Sequence, residues 1–585
     1  MRILYFRARK RLTSEELEWF LNEDPDFLKD VGSMSDDDTD DEEEVIAQSD
    51  HNTESEQEYE FDENEDSNCQ SGCTGDWFVG RDKTTMWMKV VSTATSKARS
   101  KNIVKTFPGP KAIARDVTTE ISGFSKIISM EMIDIIVHYT NKYIQLIPDY
   151  QRERDKKETT RTEILALLGL LYLFGIKKAN HTNVMEMWNT DGSGIEIARA
   201  VMSYRRFLFL LRCIRFDDKT TRAERRKFDK LAAVRFILEE FVTNCKSTYN
   251  LSEFVTIDEK LQAFRGRCGF VQYIPNKPAK YGIKIFALCD AKTFFTSNLE
   301  VYCGKQPEGP YAVSNSASEI VHRLVSHIEG SNRNITMDNW YTSCTLAISL
   351  LQKKLTCIGT LRKNKREIPL EFLPRKDRAP GSSLFGYNKD MTLVSYVPKK
   401  NKAVLLLSTM HDSGTIDEDS CKPDIVLDYN ATKGGVDTVD QMCGTYSVAR
   451  ITRRWPLVIF FALMDIAGIN AQILFYSNGQ NHKVSRRIFL KNLAYDLMKA
   501  HLVERAKIPS LPKDISLFLQ RYQTTSEQLV QPSSNKRGRC IICGRAKNVN
   551  TTIKCDSCKS FVCRKHVIIS YSCEKCHVAT TDSED

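Results

Sequence analysis

The alternation of apolar and polar positions divides the chain into stretches of different texture. Between residues 124 and 248, apolar residues recur at three- and four-residue spacings. This predicts helices over 127–143, 162–176, 203–216 and 231–249. The texture changes at Ser252. Short runs rich in Val, Ile, Phe and Thr, at 254–257, 282–288, 294–303, 333–337 and 355–361, predict strands separated by turns or by one helix at 317–328. Two further β-like pieces, 392–397 and 404–408, lie among Pro- and Gly-rich turns. Helical periodicity returns at 434–446 and dominates 456–476 and 485–506, and Thr13 and Glu16 open an amphipathic stretch over 13–30 at capping-box spacing.

A chain of 585 residues is enough for three or four domains, and 41% hydrophobic with 27% charged residues excludes a wholly disordered or fibrous protein. Charge sharpens the picture. From Ser35 to Asp66 there are 17 acidic residues and no Lys or Arg. Without that window, 84 Lys and Arg face the remaining 58 of the 75 Asp and Glu, a net charge of +26. A body that basic suits a polyanion, nucleic acid above all. The acidic tract reads as a solvating disordered arm or as an electrostatic decoy competing with DNA. From Arg81 to Arg115, nine basic residues face one acidic residue, with Trp77, Phe78, Trp87 and Phe107 interleaved or adjacent. This predicts an extended segment, either a linker or a strap that tracks phosphates while its rings anchor it. Arg205, Arg206, Arg212 and Arg215, followed by Arg222, Arg225, Arg226 and Lys227, suit a DNA-facing surface or a solvated helix face.

No membrane span is expected. The apolar run 164–176 is too short, and 457–475 contains Asp465, Asn470 and Gln472. The N-terminus carries no signal-peptide core, which predicts an intracellular protein. Of 18 cysteines, 11 are scattered and seven crowd into 540–576 as C-x-x-C pairs, the pattern of metal ligation in a reducing compartment.

Two predicted strands end in aspartate: Phe254-Val255-Thr256-Ile257-Asp258 and Asn334-Ile335-Thr336-Met337-Asp338. Each carboxylate is expected to emerge at its strand's C-terminal end, where sites gather in α/β sheets. A predicted helix start, Gly434–Met442, carries Asp437 and Asp440 on one face. Clustered carboxylates repel unless a divalent cation joins them, and Mg²⁺ prefers such oxygen ligands. Each Asp taken singly also reads as a cap or turn residue.

The wording around these acids is more specific than their spacing. Ile257-Asp258-Glu259, Phe264-Arg265-Gly266-Arg267-Cys268, Tyr273-Ile274-Pro275-Asn276-Lys277-Pro278 and Lys280-Tyr281-Gly282-Ile283-Lys284 resemble the piggyBac transposase family. So do Asn334–Asp338 with Asn339-Trp340-Tyr341, Asn364-Lys365-Arg366-Glu367-Ile368-Pro369, Tyr429-Asn430 with Lys433–Met442, and Arg454-Trp455-Pro456. The resemblance spans roughly residues 117–577. It implies a multidomain α/β protein with an RNase H-like catalytic core. Asp258, Asp338 and Asp437 would hold two Mg²⁺ (or Mn²⁺) ions, with Asp440 auxiliary. Cleavage would fall at inverted terminal repeats, with joining at TTAA targets and seamless excision through hairpin ends. Double-stranded DNA is the implied partner, a homodimer the implied assembly and the nucleus the expected location. Arg265, Arg267, Lys277, Lys280, Lys284, Lys365, Arg366, Arg453 and Arg454 are the candidate DNA contacts.

The expected organisation follows. Residues 1–74 form the acidic arm and 75–116 the basic segment. Residues 117–250 and 451–520 form the two parts of a helical dimerisation and DNA-binding domain. The core comprises 251–361 and the catalytic helix in 428–450, interrupted by a β-rich insertion at 362–427. A linker, 521–539, precedes the zinc module 540–577 and a tail, 578–585. The ligand series is Cys540, Cys543, Cys555, Cys558, Cys563, His566, Cys573 and Cys576, with His577 an alternative eighth ligand. Four pairs make two closed tetrahedral Zn²⁺ sites. Analogy with this family and other two-zinc modules favours a cross-brace, first pair with third and second with fourth. Ten basic residues between Lys536 and Lys575 against Asp556 and Glu574 suit DNA, and Lys536, Arg537 and Arg539 suit a nuclear import signal. Two rivals stay open: a domesticated derivative that binds DNA without cutting it, and a chromatin adaptor acting through the zinc module.

Overall fold

The computed structural model describes residues 46–48, 75–90, 100–148, 156–478 apart from 276 and 278, 484–523, 537–543, 547, 549–555 and 560–567. The expected helix at 13–30, most of the acidic tract, most of the linker, the tail and the import signal's Lys536 lie outside these residues. The chain forms two compact units, Met1–Ile508 and Pro509–Asp585.

A 12-stranded mixed sheet centres the first unit. In chain order its strands, with one small ribbon, are β1 (Ile46–Gln48), β2 (Trp77–Val79), β3 (Met86–Met88), the ribbon β4 (Gly109–Pro110) and β5 (Tyr249–Asn250), β6 (Phe254–Ala263), β7 (Val271–Tyr273), β8 (Tyr281–Asp290), β9 (Thr296–Val301), β10 (Asn334–Met337), β11 (Thr356–Thr360), β12 (Ser383–Tyr387), β13 (Thr392–Lys399) and β14 (Lys402–Ser408). Strand β6 pairs antiparallel with β8 on one side and parallel with β10 on the other, and β10 continues parallel to β11. β9 flanks β8 on its far edge. Every residue of β10 and β11 is buried, as parallel strands covered on both faces require. The β-rich stretch 362–427 extends the same sheet, because β14 pairs antiparallel with β11 and carries β13 and β12 with it.

The basic segment departs from expectation. It is not extended at its start: β2 and β3 form a hairpin, and Trp87 is 0% exposed. Arg81 and Trp87 donate to the carbonyls of Lys363, Lys365 and Glu367, so the protein's own backbone holds both side chains.

Helices cover the sheet. The predicted 127–143 helix resolves into Glu120–Ile127 and Met130–Leu146, because Ser129 accepts from the N–H of Met132 and caps a second start. Helix Trp455–Ser477 has the length and apolarity of a membrane span, but 94% of its apolar window is buried inside the protein. Each fully buried Leu, Ile or Phe there contributes roughly 1.5–3 kcal/mol. It packs on Glu120–Ile127, and Arg486–Arg505 packs on Arg161–Ile176. The latter approach is close enough that a Cβ at Gly169 would lie 2.7 Å from the Ala494 carbonyl oxygen. Much of the arginine cluster turns inward: Arg206 pairs with Glu163 at 2.6 Å, Arg222 with Asp217 at 2.6 Å, and Arg215 stacks on Tyr143 at 3.6 Å from the ring centre. Arg206 bridges two helices, Arg222 closes on the turn before its own helix, and each buried guanidinium finds the anion or ring face that burial demands.

Candidate active site

Register brings the first two acids together. Thr256 lies opposite Thr336 and Ile257 opposite Met337, so Asp258 and Asp338 follow at the same level on neighbouring parallel strands. One expectation needs correction. Asp338 does leave the end of β10, but Asp258 sits within β6, which runs on to Ala263 because the long β8 stays paired with it. The open position beside Asp258 arises because β10 stops there.

The third acid comes from helix Gly435–Thr445, which packs on β6 and β8. A Cβ at Gly435 would lie 2.4 Å from Thr256 Oγ1, so only glycine permits this approach. Asp437, 66% exposed, lies 3.6 Å from Lys277 Nζ. Burial raises the Asp258 carboxyl well above its ordinary range, and the charges of Glu259, Asp338 and Asp437 push it further. Burial acts to lower the Lys277 pKa, but Glu259, Asp258 and Asp437 outweigh it and hold the ammonium charged. The carboxylate oxygens do not all lie within 4.8 Å of one another. A hard divalent cation is the partner whose charge and oxygen preference fit this donor set.

The loop after β10 is rigidly built. Asp338 Oδ1 accepts from Trp340 N at 2.9 Å, and the Asp338 carbonyl accepts from Thr342 Oγ1 at 2.7 Å. Trp340 stacks on Phe286 at 5.8 Å between ring centres, and Tyr341 is 2% exposed. Next to Asp338, an open cavity of about 590 Å³ is lined by Asn339, Trp340, Arg362, Asn364, Lys365 and Arg366 together with the acids Asp82 and Glu367. Arg362 was missed as a site residue; its place two positions before Asn364 in the same basic run was the available signal.

The expected DNA contacts divide. Arg265, Arg267, Lys280, Arg366 and Arg453 are exposed, and Lys277 and Lys365 are half-buried. Lys284 is buried beneath rings, 5.5 Å from that of Trp340. Arg454 donates to the carbonyls of Leu211, Arg212 and Ile214, capping the C-terminal end of helix Tyr204–Cys213. Its charge answers the helix dipole. Asp440 meets Lys260 Nζ at 3.1 Å.

In the second unit, strands Gly538–Arg539 and Asn550–Thr551 pair beside a compact quartet. The donor atoms of Cys540, Cys543, Cys563 and His566 all lie within 4.8 Å of one another. Cys543 Sγ is 3.5 Å from Cys563 Sγ and 3.4 Å from His566 Nδ1, and Cys540 Sγ is 3.8 Å from that nitrogen. A tetrahedron of thiolates and imidazole around Zn²⁺ has edges of about 3.4–3.8 Å, so the quartet fits zinc. Cys555 is described, but Cys558, Cys573, Cys576 and His577 lie outside the described residues.

Strand register and helix packing bring Asp258, Asp338 and Asp437 to one region of the sheet. The profile of the family described as Transposase IS4 matches residues 119–472, placing the chain among the transposases. A cryo-EM structure of a piggyBac transposase synaptic complex with hairpin DNA superposes with a TM-score of 0.68 at 36% identity, covering 79% of this chain and 98% of that one. The chain belongs to the piggyBac transposase family. Human relatives include PiggyBac transposable element-derived protein 3, 23% identical over 358 residues, which are 57% of this chain and 58% of that protein. The chimeric ERCC6-PGBD3 protein, also human, matches at the same 23% identity over 32% of its length. The chain thus spans under two thirds of either human relative.

Proposed function

We propose that this protein is a metal-dependent DNA transposase whose strand cleavage and transfer depend on Asp258, Asp338 and Asp437. The single observation carrying this reading is the convergence of those acids, two on register-matched parallel strands and one on the helix packed across them. The order β9-β8-β6-β10-β11, with β8 antiparallel, Asp258 within β6 and Asp338 directly after β10, supports an RNase H-like core. Two Mg²⁺ or Mn²⁺ ions held by the three aspartates would activate the attacking water or hydroxyl and stabilise the leaving oxygen. Lys277 keeps a positive charge beside Asp437, where a DNA phosphate approaches. Exposed Arg265, Arg267, Lys280, Arg366 and Arg453 provide charge for further phosphates. The solved relative holds hairpin DNA. We extend to this chain transposon ends and TTAA targets as substrates, a homodimer as the working assembly and the nucleus as its location. Two zincs are assigned to the C-terminal module, the first on the quartet.

The test is nicking of a transposon-end duplex in Mg²⁺ by purified Asp338→Ala protein. Cleavage should fall below detection, while the melting temperature holds or rises because one repelling charge is gone. Nicking at the wild-type rate would overturn the assignment.

A further inference from the structure

Both acid-bearing strands carry the same short pattern, Thr256-Ile257-Asp258 and Thr336-Met337-Asp338. Strand alternation sets each threonine on the face of its aspartate, and register sets the two threonines side by side. They are 2% and 0% exposed. Their hydroxyls converge on Thr432, the last residue of helix Asp424–Thr432 and itself 7% exposed, just ahead of the helix bearing Asp437. Thr256 Oγ1 donates to the Thr432 carbonyl at 2.6 Å, and Thr336 Oγ1 lies 2.7 Å from Thr432 Oγ1. A hydroxyl has one proton. Thr432 donates its own to the Asp428 carbonyl at 2.6 Å, so Thr336 is the donor in the threonine pair. Asp428 Oδ2 in turn lies 3.0 Å from His411 Nε2, beyond the end of β14.

Valine would fill each of these buried positions with the same shape. A buried hydroxyl costs free energy unless it is bonded, and here the bonds of Thr256 and Thr336 to Thr432 join elements far apart in the chain. Asp437 is the acid of the three that a helix carries, so its place relative to Asp258 and Asp338 depends on how that helix is held. We propose that Thr256, Thr336 and Thr432 form a hydroxyl clamp that fixes the helix start to both acid-bearing strands, making Thr432 a positioning residue for metal binding. The proposal rests on the reading of Asp258, Asp338 and Asp437 as the metal ligands.

The experiment uses the full-length, zinc-loaded protein. Mn²⁺ binding is followed by electron paramagnetic resonance without DNA, alongside thermal melting and duplex nicking. Thr432→Val should weaken Mn²⁺ binding about 10–100-fold, the range for losing a group that orients a metal ligand, and shift nicking to higher metal concentration. Thr432→Ser keeps the hydroxyl and should restore both. The double variant Thr336→Val/Thr432→Val leaves no orphaned donor between the pair, so it should melt within about 2 °C of wild type yet still bind Mn²⁺ weakly. If the double variant regains wild-type Mn²⁺ affinity together with its stability, the clamp is overturned and the threonines serve packing alone. Asp338→Ala run in parallel separates the two failures: wild-type Mn²⁺ affinity there would remove the ligand assignment itself, and the clamp with it.

Discussion

Lys260 shares the Asp258 face of β6, two residues further on, and its side chain is only 4% exposed where it meets Asp440. That pairing gives Asp440 a role in docking its helix. Asp440→Asn removes the carboxylate bonded to the buried Lys260 ammonium and leaves Asp465 as the remaining aspartate acting on it. The expected loss is about 1–3 kcal/mol, below the 3–5 of a fully buried pair because Asp440 is 39% exposed. Urea denaturation measures it, and adding Lys260→Met should recover most of it. A second acid carries a pH signature. Burial pushes Asp465 up to about 7, against the opposing bonds from Val448 N and Ser447 Oγ and the charge of Lys260. The folded chain therefore holds this proton more tightly than the unfolded chain, whose aspartates titrate near ~3.9. Stability from this group is full below about pH 4 and is lost as pH rises through about 7. Melting curves from pH 5 to 8 should show wild type losing ground to Asp465→Asn as pH increases, and a pH-independent difference would contradict the assignment.

Elements were legible in proportion to their periodicity. The strand before Asp338 and helices such as Arg161–Ile176 and Arg486–Arg505 lie close to their predicted bounds, since each is a sustained run of apolar residues, whereas β6 runs on to Ala263, past its predicted end at Ile257. Helices Cys344–Gln352 and Asp424–Thr432 were not predicted, nor was β12. They are nine residues or fewer, too short for a stripe to stand out from a turn or strand. The β2–β3 hairpin was hidden for another reason: its partners are backbone carbonyls of a loop some 280 residues away. Trp87→Ala should therefore cost about 3–5 kcal/mol by cavity formation. Limited trypsin digestion should then cut faster at Lys363, Lys365 and Arg366 than in wild type; unchanged cleavage there would mean the hairpin does not hold the loop.

At the scale of the whole molecule, the two units rest on different physics. The first buries long apolar helices against a wide sheet, whereas the second has a short strand pair and a thiol–imidazole quartet. Metal must supply much of the folding free energy of the second. Native mass spectrometry of the intact chain should count two zincs, falling to one in Cys543→Ser, and a single zinc in the unaltered protein would refute the two-site arrangement. The residue series alone determined the family and marked the four aspartates and the cysteine pairs as candidates, because each lies in a contiguous motif whose residue types name their own chemistry. Only the tertiary structure decided which groups meet: Thr432 with Thr256 and Thr336, Lys260 with Asp440, and Arg454 with the end of a helix. Those contacts join residues some 100 to 240 positions apart, and strand register and helix docking, which no local pattern encodes, set which groups come within bonding distance.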